Sequence, residues 1–297
     1  MKLVYEKRHI LQAVTATFAV VAALGLSACG GGDDGGSGSA AASTDASVGG
    51  HLPGGAASSI RVEGQSQALS SSLATVSVMT PPVSWKADGS FPGGSLTLST
   101  SGVDASQLKS QAPGAYTTLP LSRDLLSLST GTVTDIAGNG DYAIGRWTAG
   151  SDSAGHSYNA NQGQAWAVGA PVTVSLTDQT LLSCTLAAAT RPTSTDGNTA
   201  PGSLAGATAV VTSQKDAFGN LNAHAALTLQ YSIGADTNQT FIGSTQVGSI
   251  STSVTARSSL FTRFMGPNAS MPYLVVSYGV HAPTAGGVNG LAVLSCK

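Results

Sequence analysis

Residues 221–231, with the sequence LNAHAALTLQY, form the clearest β-strand pattern in this chain of 297 residues. Alternate positions are apolar, namely Ala223, Ala225, Leu227, Leu229 and Tyr231. The positions between them are mostly polar, with Asn222, His224, Thr228 and Gln230 on the opposite side. Because successive side chains of a strand point to opposite faces, this pattern predicts a strand with one face on a core and the other in water.

Similar strand-like segments lie on both sides of this stretch, separated by short polar turns such as the one predicted at 236–239. These segments are 163–168, 172–176, 181–186, 204–212, 240–255, 273–280 and 291–296. Sequential strands joined by short turns form a meander, and a meander of about eight strands usually closes into a barrel. The sequence therefore predicts an all-β protein with an antiparallel up-and-down barrel of about eight strands over residues 141–297.

The region before this barrel, residues 60–140, is also β-rich but less regular. Short strands are predicted at 73–79, 83–87, 95–100, 116–121 and 125–133, with proline and glycine marking the turns between them. Residues 103–110 are the one mildly helical stretch. The pattern is compatible with a separate small domain or with the first strands of a single β structure.

Cysteine usage predicts one disulfide bond. The chain has three cysteines, and two remain if Cys29 is modified, as argued below. Cys184 and Cys296 then form an even pair in an oxidising compartment, which favours a bond between them over two buried free thiols. Such a bond would attach the last strand of the barrel to its beginning.

The N-terminus has the organisation of a bacterial lipoprotein signal peptide. A basic start with Lys2, Lys7 and Arg8 precedes an apolar core over 10–26. The core ends in a lipobox-like sequence that consists of Leu26, Ser27, Ala28 and Cys29. The sequence therefore predicts a signal peptide over 1–28 and lipidation of Cys29, whose acyl chains, such as palmitate, would bind membrane lipid. The alternative is an uncleaved transmembrane helix, although its core is marginal in length for a bilayer about 30 Å thick.

The residues after Cys29 predict the protein's location. Residues 29–59 are rich in glycine, serine and alanine, which predicts a disordered, flexible tether. Gly30 follows the lipidated position, whereas aspartate there would favour retention at the inner membrane. We therefore expect a lipid anchor in the outer membrane, on its periplasmic face or at the cell surface.

Composition excludes some function classes. Removal of 1–28 takes away Lys2, Lys7, Arg8 and Glu6, leaving 10 basic and 14 acidic residues and a net charge of −4. Without a basic cluster, a nucleic-acid partner is not expected. The sequence contains no Gly-x-Ser-x-Gly elbow, His-Glu-x-x-His, Cys-x-x-Cys or phosphate loop, so it predicts no metal, no cofactor and no catalytic residue. A hydrolase would instead have to bring a histidine, an aspartate and a hydroxyl together in space.

Several residues of the types that dominate binding interfaces are concentrated between 142 and 166. They are Tyr142, Arg146, Trp147, Tyr158 and Trp166. Tryptophan, tyrosine and arginine contribute a large share of interface energy, so these residues form a candidate ligand-binding patch. The alternative is that the tryptophans pack inside the protein. On a regular strand, Arg146 and Trp147 would point to opposite faces.

The end of the chain resembles a known family. Residues 264–269, Phe-Met-Gly-Pro-Asn-Ala, are followed by a predicted strand, a glycine-rich turn at 286–290 and a final apolar strand. This order resembles the end of the β-barrel domain in surface lipoproteins of the transferrin-binding protein B type, where a Phe-Tyr-Gly-Pro-like stretch precedes the last two strands. Met265 departs from that pattern, as does 270–272, where the family usually has an acidic residue and paired glycines. The resemblance implies a barrel and a surface lipoprotein, without specifying a ligand.

Together these features predict a lipid-anchored envelope lipoprotein that binds a protein or small-molecule ligand at the cell surface and has no catalytic activity. A structural lipoprotein of the periplasm or outer membrane is the first alternative, and a hydrolase is the second.

Overall fold

The computed structural model describes residues 59–81, 98–253 and 257–297. The predicted signal peptide, the lipobox with Cys29 and nearly all of the predicted tether lie outside these residues. The predicted strand at 83–87 and the start of the one at 95–100 also lie outside them. The described chain is almost entirely β, with one short 3-10 helix at Ala105–Gln107. Its strands are β1 (Ile60–Val62), β2 (Thr75–Thr80), β3 (Leu98–Asp104), β4 (Lys109–Ala112), β5 (Ala115–Pro120), β6 (Leu125–Gly138), β7 (Tyr142–Asp152), β8 (Ser157–Tyr158), β9 (Gln164–Gly169), β10 (Leu181–Ala189), β11 (Thr193–Ser194), β12 (Ser203–Lys215), β13 (Leu221–Ile233), β14 (Asp236–Gln246), β15 (Ile250–Ser253), β16 (Ser258–Met265), β17 (Tyr273–Ala282) and β18 (Gly286–Cys296).

The first sheet contains all strands up to β9, in the order β3-β2-β9-β7-β6-β5-β4, with β1 paired to β6 and β8 paired to β7. The sequence pattern assigns 142–169 to the barrel, but β7 pairs with β6 and β9 pairs with β2 in this sheet. The predicted boundary after residue 140 lies inside the β6–β7 hairpin, whose short connection favours pairing of the two strands. The barrel therefore begins with β10.

The second sheet has the order β14-β13-β12-β10-β18-β17-β16-β15, with β11 on β18. Apart from the short β11, its eight strands follow the chain as an antiparallel meander. The first of them, β10, pairs with the last, β18. This arrangement confirms the predicted all-β fold with a C-terminal up-and-down barrel. Among the described residues no ladder joins β14 to β15, although β14 lies against β15 and β16. The barrel wall therefore has a gap in its hydrogen-bond ladder between β14 and β15, called the seam below.

Strand β13 has the alternation that its sequence predicts. Leu227 pairs with Ala209 of β12 and with Gly243 of β14, so the strand is in the middle of a ladder. The apolar positions from Ala223 to Tyr231 are buried in the barrel core, and Leu227 and Leu229 have almost no exposed surface. Burial of this face removes apolar surface from water and stabilises the curled sheet.

The predicted disulfide bond between Cys184 and Cys296 is present. The two cysteines are directly opposite each other on β10 and β18, in the ladder that brings the ends of the meander together. Both face the barrel core. The bond thus crosslinks the first and last barrel strands over a sequence separation of 112 residues.

Three predicted segments differ from the structure. Residues 172–176 belong to no strand, although their side chains alternate between partly buried and exposed. The strand predicted over 240–255 is divided into β14 and β15 by a turn at 247–249, and β14 already begins at Asp236, within the predicted turn. The helical prediction for 103–110 reduces to the 3-10 helix and parts of β3 and β4, because tertiary pairing outweighs weak local propensity.

The two sheets pack together within one compact unit that covers residues 55–297. A shared core forms where Met79, Tyr142 and Ile144 of the first sheet meet Val275 and Leu291 of the barrel. The described strands before residue 140 are therefore part of a larger β structure that also includes the barrel. Among the described residues, no helix is long and apolar enough to cross a membrane.

Candidate functional site

The five residues of the candidate ligand-binding patch lie on β7, β8 and β9, and all are buried. Trp147 and Trp166 have no exposed surface and pack in the core of the first sheet. The Trp147 Nε1–H donates to the carbonyl oxygen of Tyr116 at 2.8 Å, and the Tyr116 ring meets the Trp166 ring edge-on at 5.7 Å. These side chains therefore form core contacts and do not present an exposed surface to a partner.

Strand β7 confirms the predicted alternation, since Tyr142 and Ile144 face the barrel while Trp147 packs on the other side. Arg146 is also buried, with 1% of its side chain exposed, and it pairs with Asp135 through a 2.7 Å contact from Nε. Asp135 accepts a second 2.7 Å bond from the Nε of Arg191, on the loop that follows β10. One carboxylate thus joins the first sheet to the segment at the end of a barrel strand.

A second buried carboxylate, Asp152 at the end of β7, brings a histidine and a hydroxyl together. Its Oδ1 accepts the backbone N–H groups of Ala154 and His156, and its Oδ2 accepts the hydroxyl of Tyr158 and lies 2.9 Å from the His156 Nδ1. Burial, followed by the bond to Asp152, raises the pKa of Tyr158 above its ordinary value. The acid lies between the base and the hydroxyl, whereas a catalytic triad needs the base in the middle. This cluster fixes the β7–β8 turn.

The best candidate for a binding site is a pocket of about 290 Å³ at one end of the barrel, called the mouth pocket below. It lies where β13 begins, β16 ends and the β14–β15 turn passes. Its lining residues are Ser101, Val172, Thr173, Val174, Leu176, Leu221, Asn222, Ala223, Val247, Gly248, Arg263 and Phe264. Most of these described side chains are apolar, and Arg263 is the charged one among them.

The segment 171–177 forms one wall of the mouth pocket. Val172, Val174 and Leu176 are partly buried and pack against the barrel core, while the residues between them are exposed. Apart from a bridge between Pro171 and Met265, the segment joins no ladder. Residues 171–177, called the cap segment below, therefore cover the end of the barrel with their alternate apolar side chains.

The turn between β14 and β15 forms the opposite wall. The Val247 N–H donates to the carbonyl of Ala223 on β13, and the Gly248 N–H donates to the carbonyl of Thr262 on β16, both at 2.8 Å. Gly248 has a φ of +85°, a conformation that glycine adopts without the steric cost of a side chain. These bonds hold the turn across the seam and place Val247 in the pocket.

Arg263 provides the electrostatic character of the mouth pocket. It is partly buried at the rim, where its Nε–H donates to the Ser99 hydroxyl at 2.9 Å and its guanidinium lies 5.7 Å from the centre of the Phe261 ring. Burial lowers the pKa of Arg263, but an arginine side chain stays protonated in proteins. Within the described ranges, no carboxylate pairs with it. The pocket therefore contains a positive charge whose described partners are neutral.

A larger cavity of about 690 Å³ on the first sheet is less suited to selective binding. Its lining includes Asp104, Arg123 and Asp124, so both signs of charge are present. A hydrogen bond from Ser106 lowers the pKa of Asp104, which keeps this carboxylate ionised. The cavity thus lacks the uniform charge and apolar lining of the mouth pocket.

The mouth pocket is not apparent in the amino-acid sequence. Arg263 is a single charged residue within the apolar sequence Leu-Phe-Thr-Arg-Phe of 260–264, and that contrast was the available signal. The other lining residues come together only through the fold.

Residues 264–269 span the end of β16 and the beginning of the connection to β17. In the described part of the chain, no group of three or more histidine, cysteine, aspartate or glutamate side chains could hold a metal ion.

Comparison with known protein families, curated proteins and solved structures found no match to this chain.

Proposed function

We propose that this protein is a lipid-anchored outer-membrane lipoprotein that acts as a non-catalytic binding module at the cell surface, with the mouth pocket as its ligand site. The observation that carries the proposal is the combination of an apolar lining with a positively charged Arg263 that has no described acidic partner. Mostly apolar pockets with a few placed polar groups are typical of small-molecule sites.

The lining of the mouth pocket favours binding over catalysis. Its polar side chains are Ser101, Thr173, Asn222 and Arg263. Acid–base or nucleophilic catalysis generally needs a titratable base close to the reacting group, and these side chains do not supply one at neutral pH. Arg263 can instead orient and neutralise an anionic ligand group.

The lipid anchor is tested by Cys29→Ser. Because only the cysteine thiol can accept the lipid, this variant is expected to lose all incorporation of a labelled fatty acid and to leave the outer-membrane fraction. Metabolic labelling and membrane fractionation measure both effects.

Ser175→Ala is the matched control, because it changes an exposed residue of the folded unit and leaves the lipobox and the disulfide cysteines intact. Equal labelling of Cys29→Ser and the unmodified protein would contradict the anchor. Protease added to intact cells tests the surface location, and survival of the anchored protein there would contradict it.

The ligand site is tested by Val174→Trp. A larger side chain on the cap segment should fill the mouth pocket, and we expect the anchored protein purified from its membrane to lose a co-purifying small molecule. Mass spectrometry of solvent extracts measures this loss, and circular dichroism checks that the β fold is kept.

Ser175→Trp is the matched control, since Ser175 is the exposed neighbour on the same segment and does not line the pocket. Identical extracts from the unmodified protein, the Val174→Trp variant and this control would contradict a ligand in the mouth pocket.

A further inference from the structure

We infer that the ligand of the mouth pocket is a small amphiphile with one negative charge, whose carboxylate binds Arg263 and whose apolar body lies against the cap segment. This inference rests on the proposed function and specifies the class of molecule that the site selects. It follows from the charge, the lining and the size of the pocket.

The negative charge follows from the situation of Arg263. Its Nε is used by the Ser99 hydroxyl, while its two terminal amino groups have no described hydrogen-bond partner. A guanidinium presents its donors in a planar fork that matches a carboxylate, and charge-assisted bonds of this kind are stronger than neutral ones. Since the cation is partly buried, an arriving anion would be screened less than at an open surface.

A single charge is indicated because, among the described residues of the lining, Arg263 alone is charged. A polyphosphate would bring negative charges that this lining cannot neutralise, and an amine would be repelled by Arg263. The neutral polar groups of Ser101 and Asn222 can accept or donate further hydrogen bonds, but they cannot replace a second cation.

The apolar body follows from the remaining walls. Val172, Val174, Leu176, Val247 and Phe264 present aliphatic or aromatic surface to the pocket. Covering that surface with an apolar chain removes it from water, which is favourable. A sugar or another strongly polar molecule would lose hydrogen bonds to water without regaining them along these walls.

The volume of the mouth pocket suits a short chain. The pocket has a volume of about 290 Å³. An eight-carbon carboxylate is of this size, so octanoate is a suitable probe. Octanol and octylamine have the same chain with a neutral and a positive head group.

The three probes are titrated calorimetrically into the full-length lipoprotein in phospholipid nanodiscs, with the heats from empty nanodiscs subtracted. We expect octanoate to bind at least about tenfold more tightly than octanol or octylamine, the range of a charge-assisted hydrogen bond. Arg263→Gln should weaken octanoate binding at least about tenfold and so remove this preference. Arg61→Gln, on an exposed arginine of β1 outside the pocket, is the matched control and should keep it.

Other results would overturn the inference in different ways. If all three probes bind equally and Arg263→Gln has no effect, while Val174→Trp abolishes binding, the pocket is a ligand site but does not select a negative charge. Tighter binding of octylamine, or no binding of octanoate, also contradicts this ligand class. The proposed function itself fails only if, in addition, solvent extracts of the unmodified protein and of the Val174→Trp variant contain the same small molecules.

Discussion

Replacing both Cys184 and Cys296 by alanine is expected to lower the free energy of unfolding by about 4 to 5 kcal/mol. The bond joins positions 112 residues apart, so its loss gives the unfolded chain much conformational freedom. It also removes the covalent link in the ladder between β10 and β18, which brings the first and last barrel strands together. Urea unfolding of the full chain, followed by circular dichroism, measures the change.

The adjacent cross-strand pair supplies a matched control. Thr185 and Ser295 are directly opposite each other on the same two strands, and both are exposed. Changing both to alanine should alter the unfolding free energy by less than about 1 kcal/mol. Reduction of the unmodified protein should reproduce most of the effect of the cysteine changes. A double cysteine variant as stable as this control would show that the barrel ladder, without the crosslink, sets the stability.

The barrel could be predicted because the features that indicate it lie within short stretches of sequence. Period-two alternation marks the strands, as in β13, and short turns make consecutive strands neighbours. The cysteine count predicted the bond between Cys184 on β10 and Cys296 on β18. That bond in turn indicates that the last strand of the meander lies beside the first. Each of these features depends on residues close in sequence or on a count.

The first sheet was harder to assign because its order does not follow the chain. Its β2 pairs with β9, so Val78 has Val168 as its partner, and no local pattern records a pairing over such a distance. The same limitation applies to 172–176. Its alternation is that of a strand, but the segment caps the barrel end, and alternation reports burial on one side without specifying a ladder partner.

The candidate site illustrates why residue type alone does not locate binding. Trp147 and Trp166 are the kinds of residue that form interfaces, but they are equally suited to a core when a polar partner is within reach. Trp147 finds that partner in the Tyr116 carbonyl. Arg263 shows the reverse case. It lies in an apolar strand, and it lines a pocket only because the cap segment and the β14–β15 turn meet there.

Asp135→Asn is expected to destabilise the protein by about 3 to 5 kcal/mol, because it leaves the buried Arg146 without its negative partner. The substitution preserves size, and asparagine tolerates the φ of +55° at this position. Loss of the charge also weakens the contact of Arg191 with the first sheet. Thermal and urea unfolding measure the change.

The expected cost comes from burial of the charge, and the chain contains a control for that argument. Asp178 pairs with Lys215 at 3.1 Å, but both side chains are more than half exposed. Asp178→Asn should therefore change stability by no more than about 1 kcal/mol. If the expected cost arises from the unpaired charge, adding Arg146→Met to Asp135→Asn should recover part of it, since a buried ion pair can be replaced by apolar packing. Equal effects of Asp135→Asn and Asp178→Asn would contradict the role of Asp135 as the charged link between the first sheet and the barrel.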